Sequence, residues 1–323
     1  MRLAQPSVVR WRRVTQMKVA GKNIEVGGRL VRIGRLAAEG FEFVDEAMLT
    51  EIVKIRSGMD LFTFVQRLPG TTPDYDYPTE WDNVAAVPIS TFEHWWTRQI
   101  PGKTRNMIRR SERRGLVCRE VAFDDALVKG IWEIYNECPV RQGRAFPHYG
   151  KDIEAVRQMS GTFLGSSILI GAFLGEKLVG FVKLTVDDTR SQAAVMHIIS
   201  LMEHRDKAPM NALIAESVIA CEKRALPYLV YSKFSYWKKQ RDSLSDFKVR
   251  NGFRRFDVPR YYIPLTRFGG LAFRLGLQHR MVDAIPEPVV VALRQFRQMC
   301  LERKTALPIK REDFARADKS DRR

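Results

Sequence analysis

The sequence predicts a mixed α/β (α+β) fold, in which a mostly antiparallel sheet carries helices on both faces. Three observations lead there. From residue 117 to 265, apolar runs of strand length alternate with helical periodicity in the order β-α-α-β-β-β-α-β-α-β. The Gly175-Glu176 pair separates two strand-like runs at hairpin spacing. The run 193–201 is apolar on both faces, with Ala193, Val195 and Ile199 on one side and Ala194, Met196 and Ile198 on the other. That pattern belongs to a central strand covered from both sides.

In chain order, residues 1–116 read as a smaller mixed α/β segment. It has strands over 28–36 and 61–68 and a helix over 45–56. The stretch 69–83, PGTTPDYDYPTEWDN, reads as a loop. A Trp95-Trp96 segment precedes a basic helix, KTRNMIRRSERRG, that ends at Gly115, a residue suited to left-handed geometry at a helix end. Residues 117–266 form the next domain. Its strands are expected over 117–121, 167–174, 177–186, 193–201, 228–232 and 261–265. Its helices are expected over 124–136, 151–163, 209–224 and 242–250, with an irregular loop over 138–151. Residues 267–323 read as a helical extension, with a helix over 287–304, and a mixed-charge tail.

Composition narrows the functional classes. The 323 residues are 45% hydrophobic and 28% charged, which is ordinary for a globular chain. Lys and Arg outnumber Asp and Glu by 54 to 37, a net charge of +17 that attracts nucleic acid, anionic lipid or phosphate-bearing ligands without choosing among them. Four dispersed cysteines (118, 138, 221 and 300) argue against a zinc site or a disulfide scaffold, so no metal is expected and a reduced cytoplasm is the simplest setting. The N-terminus has no apolar signal core, and the longest uncharged stretch, 158–175, is interrupted by glycines and serines, so no transmembrane segment is expected. The Phe- and Leu-bearing run 267–280, irregular in spacing and carrying a Gly pair, reads as docking onto the preceding domain, with peripheral membrane contact as the alternative.

The central run 193–201 leads directly into EHRDKAPMNALIAESVIACEKR, whose Met210, Leu213, Ile214, Ser217, Val218 and Cys221 share one helical face. A helix start presents free amides and partial positive charge and so binds phosphate. Pro209 suits the first helical position, and Ala208 is a poor cap that leaves donors for a ligand. The opposing reading has Asp206 folding back as the cap.

Arg205-Asp206-Lys207-Ala208-Pro209-Met210 resembles the Arg/Gln-x-x-Gly-x-Gly/Ala loop of the GNAT acyltransferase superfamily, and DFKVRNGF (246–253) resembles its later helix and Gly-Phe pair. The resemblance covers roughly 117–265, and both loop glycines are replaced, by Ala208 and Met210. The basic helix after the Trp pair is similar to a segment of FemAB-type transferases, which share the fold and take aminoacyl-tRNA. On that basis residues 1–116 are open to being a degenerate second GNAT-like unit.

The resemblance implies an N-acyltransferase using acetyl- or acyl-coenzyme A, held by Leu201, Arg205, Asp206, Lys207, Ala208, Pro209, Met210 and Asn211. The acceptor would be an amine on a small molecule or envelope precursor, in cell-envelope, sugar or lipid metabolism. The alternatives are FemAB-like transfer from aminoacyl-tRNA and a non-catalytic binding module. Glu203 is the first candidate base, with His197 on its face if strand alternation persists. Each also has a structural reading, as a solvated loop charge and a core histidine. Phe247 occupies the usual position of the acid tyrosine, so Tyr236 is the substitute candidate, or a packing aromatic. On the acceptor side Arg141, Gln142, Arg144, His148, Tyr149 and Lys233 are the candidates. Arg141 and Arg144 would suit an anionic acceptor, against the reading of a solvated basic loop.

Overall fold

A computed structural model describes residues 15–55, 58–141, 143–234 and 243–279. The positions Tyr236 and Gln142 and the expected helix over 287–304 lie outside the described residues. The elements are β1 (Thr15–Val19), β2 (Lys22–Gly27), β3 (Ile33–Leu36), α1 (Glu46–Ile55), β4 (Leu61–Val65) and β5 (Thr79–Pro88). A short helix α2 (Phe92–His94) runs into a π-helical turn (Trp95–Gln99), followed by α3 (Gly102–Arg113), β6 (Leu116–Glu120) and α4 (Asp125–Asn136). Next come β7 (Val140–Arg141), β8 (Arg144–Ala145), α5 (Ile153–Ser160), β9 (Ser167–Leu174), β10 (Lys177–Val186) and β11 (Ala193–Ser200). The series ends with α6 (Pro209–Glu222), β12 (Tyr228–Val230), α7 (Ser243–Arg250), β13 (Arg254–Pro264) and α8 (Arg267–Arg274).

All strands but the β7–β8 pair join one eleven-stranded sheet in the order β1-β2-β3-β4-β13-β5-β12-β11-β10-β9-β6. Only β3–β4 and β11–β12 run parallel, so the sheet is mostly antiparallel as expected. Helices cover both faces. Leu213 of α6 lies against Gly180 of β10, while the C-terminal carbonyl of α5, Ser160 O, accepts from Lys183 Nζ at 2.7 Å. Residues 180 and 183 point to opposite sides by strand alternation, so α6 and α5 sit on opposite faces. On the α6 face the centre is closely packed: Leu213, Ile214, Val218 and Cys221 are fully buried. Each such side chain contributes about 1.5–3 kcal/mol relative to exposure.

Three sequence expectations need correction. The strand expected over 261–265 already begins at Arg254 and forms the long β13. The strand expected over 28–36 begins only at Ile33, because Gly28 turns the chain at φ +115° with the Val31 carbonyl oxygen 1.9 Å from where a Cβ would stand. The loop expected over 69–83 gives way at Thr79 to β5. Its polar half escapes a period-two reading because its charges are compensated by neighbouring strands: Glu80 accepts from the Tyr262 hydroxyl at 3.1 Å and Asp82 from Lys233 Nζ at 2.6 Å.

β5 decides the shape of the centre. It lies between β12 and β13, antiparallel to both, with Val230 opposite Ala86 and Arg254 opposite the same alanine. Beyond Val230 the chain keeps to β5, Tyr231 N–H donating to Ala85 O at 2.7 Å. β12 therefore leaves β11, to which it is paired only at Ala193–Leu229 and Ala194–Val230. The two parallel strands part from there toward Ser200. The Asn251-Gly252-Phe253 turn after α7 docks on this early segment: Trp95 Nε1 donates to Asn251 O at 3.1 Å, and a Cβ on Gly252 would meet that nitrogen at 2.9 Å.

Candidate active site

The site is built around β11 and the loop that joins it to α6. After Ser200 the chain makes a turn, then a single 3-10 turn at Arg205–Lys207, and α6 starts at Pro209. Ala208 holds φ +50°, ψ +43° and offers no side-chain cap. Asp206 does not fold back onto the helix. Its carboxylate takes Arg114 Nη1 at 2.6 Å, with the Asp206 carbonyl accepting from the same nitrogen at 3.2 Å. Met210 is half-buried and packs against the main core. Asn211, by contrast, turns inward, its amide donating to Asn251 Oδ1 at 3.0 Å, while its backbone N–H bonds Ala208 O at 3.1 Å. Arg205 is exposed, and Lys207 Nζ lies 3.3 Å from His204 Nδ1.

The entry to this loop is held by one carboxylate. Glu137, just past α4, accepts from the amides of Met202 at 2.8 Å and Glu203 at 2.9 Å. Arg141, buried, donates to the same carboxylate at 2.8 Å, to Ser200 O at 2.8 Å and to Ile134 O at 2.7 Å. Its guanidinium also stands 4.8 Å over the Phe146 ring. The arginine nominated for an anionic acceptor thus fixes the end of β11. Arg144 and Tyr149 of the same loop are exposed.

Midway along β11 the register with β10 shifts between the pairs Lys183–His197 and Leu184–Val195, leaving Met196 as the extra residue of a bulge. The Thr162 and Thr185 hydroxyls each lie 3.7 Å from its sulfur. The bulge puts His197 on the α4–α5 face. There Tyr135 Oη and His197 Nε2 are 2.7 Å apart, and His148 stacks on Tyr135 with centroids 4.7 Å apart. Burial depresses the His148 pKa to about 4 and the His197 pKa to about 3, so both rings are neutral near pH 7. Burial pushes the Tyr135 phenol well above its ordinary range, which keeps it a hydrogen-bond donor. Lys183, next to His197, is lowered to about 8 by desolvation while its ammonium caps the carbonyls of Ser160 and Thr162.

Glu203 does not join this cluster. The alternation that would place it on the His197 face stops where β11 ends at Ser200. Its exposed carboxylate lies 3.9 Å from Lys177 Nζ instead. Leu201, buried, donates its N–H to Val179 O at 2.8 Å. Lys233 sits beyond the strand parting, bound to Asp82.

No family model matches the chain, and no curated protein matches it by sequence. Solved structures match it in shape. FemX superposes with a TM-score of 0.54 at 10% identity, covering 76% of this chain and 87% of that one. The C-terminal domain of a putative lysylphosphatidylglycerol synthetase from Agrobacterium fabrum gives 0.52 at 14% identity, over 81% and 87%. L-PGS from Bacillus licheniformis gives 0.53 at 13%, over 81% and 88%. The chain shares the fold of FemX and of these lysylphosphatidylglycerol synthetase structures.

Within this FemX-like fold, sequence reasoning missed Glu137 and Tyr135, and it placed Arg114 in the basic helix without its bond to Asp206. The Glu137–Arg141 pair at i,i+4 was the one local signal available. Arg114–Asp206 joins residues 92 apart and Tyr135–His197 residues 62 apart, so neither leaves a pattern in sequence. No helix among the described residues is long and apolar enough to cross a membrane.

Proposed function

We propose that this chain is an acyltransferase whose donor rests its phosphates at the start of α6 and whose acyl end reaches the bulge of β11. One observation carries the reading: the left-handed Ala208 starts α6 uncapped at the end of a strand parting from its neighbour, with Asp206 drawn aside by Arg114. Phosphate at such a start gains from the helix dipole and the Met210 amide. Acetyl- or acyl-coenzyme A is the first donor. From Ser200 back to Val195 an extended arm has about 17 Å to run along β11, beside the edge that β12 has left.

The chemistry asked of the protein is modest. The acceptor amine attacks the carbonyl carbon, a C–N bond forms, the thioester C–S bond breaks, the amine loses a proton and the departing thiolate gains one. His197, neutral and hydrogen-bonded to Tyr135 at the bulge, is the candidate closest to that carbonyl on the α4 side. Millimolar coenzyme A is expected to raise the melting temperature, by about 2.7 kcal/mol of stabilisation at a hundredfold excess over its Kd. No shift with coenzyme A or acetyl-coenzyme A would count against this donor.

A second reading, transfer from aminoacyl-tRNA, is favoured by the position of α3. It packs on α6, its last turn leads to Arg114 on the donor loop, and Lys103, Arg109, Arg110 and Arg113 are exposed. On this reading the ester C–O bond breaks in place of C–S. Charge reversal at Arg109, Arg110 and Arg113 should then abolish tRNA binding and flatten its salt dependence. Unchanged affinity rejects it. A broad amine panel tested for turnover separates both from a binding module.

A further inference from the structure

On the α4–α5 face of the sheet, where β11 and β12 part, the protein encloses a second feature that the donor loop does not use. A cavity reaches from Ala194, Val195 and Val230 to the segment 39–43 of the early chain. Most of its wall is apolar: Phe41, Phe43, Phe64, Leu68, Val84 and Val230. Its charged groups are, with one exception, satisfied inside the protein. Arg260 donates to Glu39 at 2.8 and 3.0 Å and to Asp82 at 3.1 Å. Lys233 donates to Asp82 at 2.6 Å, and Arg67 is engaged by Asp187 at 3.2 Å and by Asp188.

The exception is Glu42. It lines the cavity half-buried, and its carboxylate has neither a hydrogen bond nor an ion pair among the described residues. Lys22, a cation that acts on it through space, spends its ammonium on Phe43 O and lies 3.8 Å from Asp45. A carboxylate left alone beside apolar walls is costly unless it is neutralised or meets a cation. We propose that the cavity takes a primary ammonium carried on an apolar chain, with Glu42 as its counter-ion. Arg260, Asp82 and Glu39 form a fixed wall that rejects a second charge. Calling this ammonium the acyl acceptor rests on the transferase reading above; the binding site does not. Desolvation holds the Glu42 carboxyl above its ordinary range, which suits it to receive the proton that an ammonium loses before attack. An acceptor of this kind departs from the anionic one expected from Arg141, whose guanidinium is occupied at the end of β11.

The test is calorimetry on the full chain with n-hexylamine and with 1-hexanol, which share an apolar body and differ in charge. The amine should bind the unaltered protein at least about tenfold tighter than the alcohol. Glu42→Gln should erase that preference while leaving the weaker alcohol binding in place. Equal binding of the two probes, no binding of either, or a preference that survives Glu42→Gln overturns the proposal. The comparison on the unaltered protein decides the matter even if the variant folds poorly. Coenzyme A binding, read in the same samples, separates the two ideas: its absence alongside a Glu42-dependent amine preference removes the donor and keeps the cavity.

Discussion

At its C-terminal end β11 hands over to a loop held by backbone contacts to Glu137 and Arg114 and edged with exposed cations. At its N-terminal end the same strand floors an apolar cavity whose charges, Glu42 apart, are matched inside the protein. On the readings proposed above, the first end would meet a large anion from solvent and the second a small group out of water. The difference teaches that one strand can present two unlike environments when its neighbours diverge. The divergence follows from β12 keeping to β5 and not from any irregularity in β12 itself.

The largest break in this contrast should come from the cavity wall. Arg260→Ala would leave Glu39 and Asp82 short of a buried partner and cost about 3–5 kcal/mol, measured by urea unfolding. A variant within 1 kcal/mol of the parent, roughly the size of an exposed pair, would mean the wall is solvated. At the other end, Glu137→Gln cannot accept from both loop amides and pair with Arg141. It should cost about 1–3 kcal/mol and weaken donor binding while sparing the cavity's response to hexylamine.

The midpoint of the strand sharpens the contrast through pH. His148 ordinarily titrates at 6.5 and in the fold at about 4, so below pH 6.5 the unfolded chain binds the proton that the folded one refuses. Stability is therefore flat above that pH and falls as pH drops toward 4. His148→Phe should shallow that fall, read as urea midpoints at pH 7 and pH 5; an unchanged slope would place the acid sensitivity elsewhere. The smallest effect belongs to Ala208→Gly. Glycine is at ease at φ +50°, and the gain, after its greater freedom when unfolded, is about 0.5 kcal/mol. Donor binding should persist, since the amides stay in place.

Much of the centre was legible because its signals are local. The apolar runs and the Gly175 turn place β9 and β10 at Ser167–Leu174 and Lys177–Val186, and α6 starts at Pro209 as expected. The FemX-like fold was expected from the basic helix after the Trp95-Trp96 pair. What sequence could not show is long-range compensation. Asp82 makes β5 look like a loop until Arg260 and Lys233 stand beside it, 178 and 151 residues away. The β1–β2 hairpin went unread because its apolar positions are few and its outer strand is largely exposed. At the site, loop polarity nominated Arg141 and His148 for an acceptor; both are buried, Arg141 bonded to the Ser200 carbonyl and His148 stacked on Tyr135 with its Nδ1 left without a hydrogen-bond partner among the described residues. Strand alternation linked His197 with Glu203 across a strand end that periodicity does not mark.

The placement of β5 has a consequence for how the molecule is made. A ribosome delivers this strand well before β12 and β13 emerge to flank it, so its two edges wait, unpaired, while the whole of residues 89–227 is made. Cut between residues 115 and 116, just ahead of β6, and co-expressed, the pieces should recombine into one particle, because neither can finish its sheet without the other.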